Sequence, residues 1–385
     1  MVDALAPCHA SASPANSTRD AVPSSWPRQR EAPALSDLAR LTQRAARGKR
    51  RSGEVARFLL DPLPRLLDLQ RTLAEHAYVP GTPHGFIIHE PKRRVISALP
   101  FRDRIVQHYL IDQTLPALER WFAPQSHACR VGRGTHQALR RAIELHRNHE
   151  WLLRLDIAKF FPSIDHCTLL ELLLPRSPPD LHWLVRRVLG APGHIEPVAF
   201  RFPGDDLLTP TERRHGLPVG NLTSQVWANA MLTPVDHLLA SHLGLGTFVR
   251  YCDDVLVYAH DRDRLRAAWD AVVERCTRLR LRPHPTKCRL HRSTEPVSFL
   301  GFVLQRRADA VVVRLRADNV RRFRRRVRNL RTLLAAGAME PEDACSRVRA
   351  WLAHAQHGHT RELCRHELDR LGNLLAGPDD LHQFR

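Results

Sequence analysis

No run of apolar residues in this 385-residue chain approaches the roughly 18 that a membrane-spanning helix needs. The first residues also lack the short apolar core of a secretory signal. A cytoplasmic location without a membrane partner is therefore expected. Cysteine is sparse, and the eight Cys are scattered without a CxxC pair, which fits reduced thiols better than a disulfide framework or a zinc knuckle. No structural metal is expected on that ground. Acid is the minority charge: 40 Asp plus Glu stand against 59 Lys plus Arg, a net +19. Such an excess predicts a polyanionic partner, nucleic acid or an anionic surface, and the want of any membrane segment favours nucleic acid. Against these shortages, 43% apolar residues suffice for a real core.

Residues 1–34 are rich in Ala, Ser and Pro without a hydrophobic period and read as a disordered leader. From Leu35 to Tyr78 apolar residues recur at helical spacing, broken by Arg47, Lys49, Arg50 and Arg51, which predicts two helices around a positive loop. Gly85 to Ser97 reads as a basic hairpin with Pro91 near its turn, followed by a helix from Asp103 to Trp121. A strand is expected over Trp151 to Asp156, then a helix starting near Cys167 and another over Gly220 to Leu239. A strand pair, Thr247 to Tyr251 and Val255 to His260, flanks an acidic turn. A helix over Arg262 to Leu281 and a hairpin opening at Val297 to Leu304 complete this stretch. Elements of both kinds alternate without a repeat, so the fold class is α+β. Beyond Asn319, Val320, Phe323, Val327, Leu330 and Leu334 fall at spacings of three and four while arginines crowd the other faces, which predicts an amphipathic helix with a basic exterior.

Tyr251-Cys-Asp-Asp-Val255 is the sharpest local feature. Two adjacent acids interrupt two β-rich runs and so sit at a hairpin turn, where they repel one another unless cations neutralise them. Asp156 ends an apolar strand, and neighbouring strands of one sheet would bring it beside Asp253. Three carboxylates gathered so would suit two Mg²⁺ ions about 3.5–4 Å apart, the arrangement that clamps an in-line phosphoryl transfer. Alone, an Asp-Asp turn is as often an ordinary surface turn, because Asp favours turns.

The surrounding motifs decide between these readings. Leu155-Asp-Ile-Ala-Lys-Phe-Phe-Pro-Ser-Ile-Asp165, Gly216-Leu-Pro-Val-Gly-Asn-Leu-Thr-Ser-Gln225, Tyr251-Cys-Asp-Asp254 and Phe299-Leu-Gly-Phe302, in that order, resemble the palm motifs of reverse transcriptases. The Pro91-Lys-Arg-Arg94 hairpin and Ser126-His-Ala-Cys-Arg-Val-Gly-Arg-Gly-Thr-His136 extend the resemblance from about Leu35 onward. The Gly-Asn-Leu-Thr-Ser-Gln form and Ala350-Trp-Leu-Ala-His-Ala355 are most similar to the enzymes of bacterial diversity-generating retroelements.

The resemblance implies roles for single residues. Asp156 and Asp253 would be the principal metal ligands, Asp254 the third acid and the Ile157 carbonyl a further ligand. Phe161 falls where such enzymes place an aromatic gate against the ribose 2′-hydroxyl, whereas Phe160 reads as core. Lys92 and Arg94 fall in the hairpin that closes over the incoming triphosphate. Val219, Gly220, Ser224 and Gln225 would line the nucleotide and template. Val219 stands where many relatives carry Gln, so an apolar contact replaces a polar one and lower base-selection fidelity is expected. Lys287, in Pro285-Thr-Lys-Cys288, resembles a lysine that protonates departing pyrophosphate. Phe299 to Phe302 resembles the primer grip. His354, His357, His359, Cys364 and His366 do not match a standard zinc spacing and read as a helical surface.

The implied architecture is a right-hand polymerase: fingers over 35–150, a palm over 151–305 and a small basic helical thumb over 306–385. No protease, endonuclease or RNase H segment is recognisable in the sequence. The implied activity is copying of RNA into cDNA with Mg²⁺, or Mn²⁺ in its place. Its partners would be template RNA, a nucleic-acid primer, deoxynucleoside triphosphates and a small basic accessory protein. An antiviral-defence or retron-like reverse transcriptase would share the chemistry on another RNA. A non-catalytic maturase or RNA chaperone would gain nothing from three acids in a basic cleft.

Overall fold

The computed structural model describes residues 32–89 and 93–371. The expected leader and the tip of the first hairpin, with Pro91 and Lys92, fall almost wholly outside these residues. Along the chain run α1 (Leu35–Ala46), α2 (Gly53–Leu60), α3 (Pro62–Ala74), β1 (His84–Ile88), β2 (Arg94–Ala98), α4 (Phe101–Trp121) and α5 (Thr135–Asn148). Then come β3 (Trp151–Leu155), α6 (Phe160–Ser163), α7 (His166–Leu173), α8 (His182–Leu189), α9 (Thr209–Glu212), α10 (Leu222–His237), β4 (Phe248–Tyr251), β5 (Asp254–Ala259) and α11 (Arg262–Arg278). The last elements are β6 (Arg289–Arg292), β7 (Val297–Phe299), β8 (Phe302–Arg307), β9 (Ala310–Leu315), α12 (Ala317–Ala335), α13 (Pro341–Ala355) and α14 (Arg361–Leu371). The class is α+β, as the sequence predicts. Among the described residues no helix is long and apolar enough to cross a membrane.

Two compact units emerge. The first takes the described residues up to Gly132 with Asp156–Gly246 and Ala268–Lys287. Its centre is α4, which packs on α1, α2, α8 and α10. Where the sequence predicts two helices before Tyr78, three form, because Pro62 cannot donate into a continuing helix and instead starts α3 at N1. A polar knot around the buried Asp103 fixes the entry to α4. The Tyr78 hydroxyl donates to Asp103 at 2.8 Å, the Gly81 amide donates to the other carboxylate oxygen at 2.8 Å, and the Phe101 amide donates to Glu54 at 2.6 Å. Burial pushes the Asp103 carboxyl above its ordinary range despite these donors. Asp165 caps α7 by accepting from the Thr168 amide at 2.8 Å. At the start of α10 the Gln107 side chain takes the cap's place, accepting from the Leu222 amide at 3.1 Å.

The second unit takes Arg133–Leu155, Thr247–Ala267 and the described residues from Cys288 on. Its four-stranded sheet has the order β4-β5-β3-β6, all neighbours antiparallel. A second sheet, β7-β8-β9, is a three-stranded meander where the sequence predicts only a hairpin. The alternating Val311, Val313 and Leu315 that make β9 are buried. One apolar core joins the two sheets. It takes Leu152, Leu256 and Tyr258 from the first, Ala138, Ala142 and Leu145 from α5, Phe299, Phe302 and Leu304 from the second, and the inner faces of α12 to α14. Phe323 and Trp351 stack at 3.7 Å between ring centroids, and the Trp351 indole N–H donates to Asn319 at 2.9 Å. Such a pair contributes about 0.5–1.5 kcal/mol beyond the area it buries. The basic amphipathic helix expected after Asn319 is α12, with Phe323, Val327 and Leu330 inward.

Among the described residues Cys129, Cys252, Cys276, Cys288, Cys345 and Cys364 are reduced thiols.

Candidate active site

The turn between β4 and β5 pairs Tyr251 with Asp254, leaving Cys252 and Asp253 as a two-residue loop. Such tight hairpins need positive φ, and Cys252 adopts φ 54° although it is not glycine. A residue held in this region costs of order 1 kcal/mol or more, so the surroundings must impose it. They do so with Arg250, buried on β4, whose guanidinium donates to the Cys252 carbonyl at 3.1 Å. Thr135 of α5 donates to the Tyr251 hydroxyl at 3.2 Å. Asp254 opens β5, and its carboxylate lies 3.5 Å from Arg154 Nε on neighbouring β3. Arg250, Thr135 and Arg154 are the supports that the sequence reading missed. A charged residue inside an otherwise apolar strand beside an acidic turn was the available signal for Arg154 and Arg250.

The β3–β5 register ends with Leu155 opposite Val255. Asp156 follows Leu155 in the chain, and Asp254 precedes Val255. In the first unit, residues 156–158 extend into a short antiparallel ladder with Arg282–His284. The Asp156 carbonyl accepts from the His284 amide and the Ala158 amide donates to Arg282, both at 2.8 Å, with Ile157 opposite Pro283. This ladder sets Lys287 beside Asp156, with Nζ 2.8 Å from Oδ1. The Asp156 side chain is 13% exposed and that of Lys287 38%.

Phe160 is buried and meets the half-buried Phe161 edge to face at 5.6 Å. The Phe161 carbonyl accepts from the Leu217 amide at 2.8 Å, and Ile164 accepts from Gly216 at 2.7 Å, so residues 161–164 are strapped to the Gly216–Gln225 loop. Gly216 lies at φ 97°, where a Cβ would press on the Ile195 side chain, so any other residue would be strained there. Val219 accepts at its carbonyl from the Ser97 amide of β2 at 3.0 Å, tying that loop to the hairpin that carries Arg94. Gly220 follows at φ 113° against Ile96. Arg94 is exposed at the start of β2, opposite Ile88. Ser224 is buried, and the exposed Gln225 accepts from the Cys129 thiol at 3.5 Å. Lys92 lies outside the described residues.

Phe299 and Phe302 close the β7–β8 turn and are both buried, with Leu300 and Gly301 at positive φ between them. The histidines downstream do not gather on one ion. His357 stacks on His136 at 3.6 Å, His354 lies against Phe302, and His359 accepts from the Val313 amide at 2.9 Å. Among the described residues no group of three or more His, Cys, Asp or Glu side chains forms a metal cluster. Asp156, Asp253 and Asp254 each carry hard carboxylate oxygens of the kind Mg²⁺ takes. Mg²⁺ characteristically uses one or two carboxylates and completes its shell with substrate phosphates and water, not with an all-protein cage.

A family model described as reverse transcriptase (RNA-dependent DNA polymerase) matches residues 88–304, more than half of the chain. An uncharacterized 91 kDa protein in cob intron of Schizosaccharomyces pombe is 29% identical over 139 residues, which are 36% of this chain and 16% of that protein. With its acidic turn, its Gly216–Gln225 loop and its Phe299–Phe302 turn all in the matched span, the chain belongs to the reverse transcriptases, the RNA-dependent DNA polymerases among the nucleotidyltransferases.

Proposed function

We propose that this chain copies an RNA template into cDNA by two-metal nucleotidyl transfer, with Asp156 and Asp253 as metal ligands, Asp254 as the third acid and the Ile157 carbonyl as a further ligand. The observation that carries the reading is the imposed β4–β5 turn. Arg250 holds the carbonyl of Cys252, a non-glycine residue at positive φ, in the two-residue loop that contains Asp253. Seven described non-glycine residues adopt positive φ, and at Cys252 the conformation coincides with a pair of adjacent acids, the kind of place where functional sites hold strain. The family generally uses divalent ions, and Mg²⁺, with Mn²⁺ as substitute, would activate the primer 3′-hydroxyl and neutralise the leaving pyrophosphate when bound.

The chain's own residues do the rest. Arg94, with Lys92 beside it in sequence, would bind the triphosphate oxygens by charge-assisted hydrogen bonds. The Phe161 ring, its backbone fixed by Leu217, would stand against the sugar and exclude a 2′-hydroxyl. Val219, Gly220, Ser224 and Gln225 would shape the wall on which base and template rest, the glycine allowing close backbone approach. Lys287 would give a proton to pyrophosphate. The fingers, palm and thumb assigned to 35–150, 151–305 and 306–385 follow from this reading, as do a template RNA, a primer and a small basic accessory protein as partners. The biological setting that the Gly220–Gln225 segment favours by resemblance is a bacterial diversity-generating retroelement, with a cytoplasmic location.

Primer extension on an RNA template with Mg²⁺ or Mn²⁺ tests the activity. Extension by the wild-type protein that disappears in an Asp253→Ala, Asp254→Ala double variant is the expected result. Extension that survives in the variant would remove these acids from the chemistry.

A further inference from the structure

Lys287 and Asp156 are 131 residues apart in sequence, yet Nζ of the lysine lies 2.8 Å from Oδ1 of the aspartate. Their meeting is built into the backbone. The ladder of 156–158 with 282–284 fixes the two chain segments in register, and the Thr286 amide folds back to donate to His284 Nδ1 at 3.3 Å just before Lys287. An ammonium at hydrogen-bond distance occupies one of the lone-pair directions of Oδ1 and leaves fewer for an inner-sphere divalent ion. It also places a positive charge where a second, doubly charged cation must arrive. Lys287 is the more exposed partner, on a long flexible stem, so it can withdraw while Asp156 stays.

We propose that Lys287 is a displaceable counter-ion of Asp156. It neutralises the carboxylate before metal arrives, competes with the metal for Oδ1, and on displacement becomes available to the triphosphate. The inference rests on the reading of Asp156 as a metal ligand and adds to it a positioning role for Lys287 that precedes any proton transfer. The ion pair and the metal compete for one oxygen and for its negative charge, so metal entry favours release of the lysine.

The test is Mn²⁺ binding to the full chain without nucleotide, followed by the electron paramagnetic resonance signal of free Mn²⁺. It compares wild type, Lys287→Met, Lys287→Arg and Asp156→Asn, each with its thermal unfolding recorded. Lys287→Met keeps the stem and removes the charge, and should tighten Mn²⁺ binding severalfold. Lys287→Arg, which retains a cation, should bind about as the wild type does. Unchanged or weaker binding in a folded Lys287→Met variant overturns the counter-ion role while leaving Asp156 as a ligand, provided Asp156→Asn loses Mn²⁺. If Asp156→Asn binds Mn²⁺ as well as wild type, the metal assignment of Asp156 falls first and the counter-ion role falls with it.

Discussion

Asp253 and Asp254 are neighbours in sequence but differ in surroundings. Asp254 lies on a regular strand with Arg154 beside it, whereas Asp253 lies in a strained loop whose shape Arg250 enforces. The turn itself is legible from the chain, because two acids between β-rich runs can hardly be anything else. Arg154 and Arg250 stand out as charges in apolar strands, but their contacts are not legible, since an arginine in a strand carries no mark of which loop carbonyl it will reach. Asp156 and Lys287 can each be singled out by motif, but their ion pair depends on a backbone ladder between distant segments. Phe160 and Phe161 illustrate the same limit, as two identical rings one position apart of which one is buried and one only half so. Replacing Phe161 with Ala should raise ribonucleotide incorporation on the order of 10–100-fold relative to deoxynucleotide, the range that loss of one steric contact permits. Competitive primer extension with both sugar types measures the ratio, and an unchanged ratio would assign Phe161 to packing alone.

The long helices and the β4–β5 pair follow from periodicity, and the structure places them within a few residues of expectation. The polar strand β6 does not, because Arg-Leu-His-Arg has no strand pattern and is held only by its pairing with β3. The segment between α8 and α10 reads simply as a polar insertion, yet it has a defined anchor. Asp205, almost wholly enclosed, accepts from Arg213 and from Arg280 at 2.8 Å, with the Phe202 amide on its other oxygen at 2.8 Å. Burial alone would raise its pKa, but the hydrogen bonds from Arg213 and Arg280 prevail and hold it at about 2. The folded state thus keeps the charge that the unfolded chain loses near the ordinary carboxylate value. The clamp's contribution is complete above about pH 4 and vanishes as the pH falls through about 2, by linkage. Asp205→Asn should cost roughly 1–2 kcal/mol near neutrality, a modest figure because Arg280 is partly in water. Urea unfolding of both proteins between neutral and acid pH should show the gap closing below pH 4. A gap independent of pH would mean the aspartate acts by shape and not by charge.

For the molecule as a whole, the net charge of +19 is the feature with the widest reach. α12 alone exposes Arg321, Arg325, Arg326 and Arg328. Binding to an RNA–DNA duplex should therefore be governed by counterion release, with log affinity falling linearly in log salt. If roughly 6–10 phosphates are neutralised, affinity drops about 10³–10⁵-fold between roughly 50 and 200 mM salt. Fluorescence anisotropy with a labelled duplex gives the slope, and a slope near zero would deny the charge this role. By itself the sequence determined the α+β class, the order of the motifs, the acidic turn and the basic partner-seeking character. These reside in local pattern, turn chemistry and summed charge, which need no knowledge of contacts. Only the tertiary structure decided which arginine shapes the acidic turn, which lysine meets Asp156, and how the 161–164 segment is strapped to the Gly216 loop. Those pairings join segments far apart in the chain, and their partners are selected by strand register and packing, which no single stretch of sequence contains.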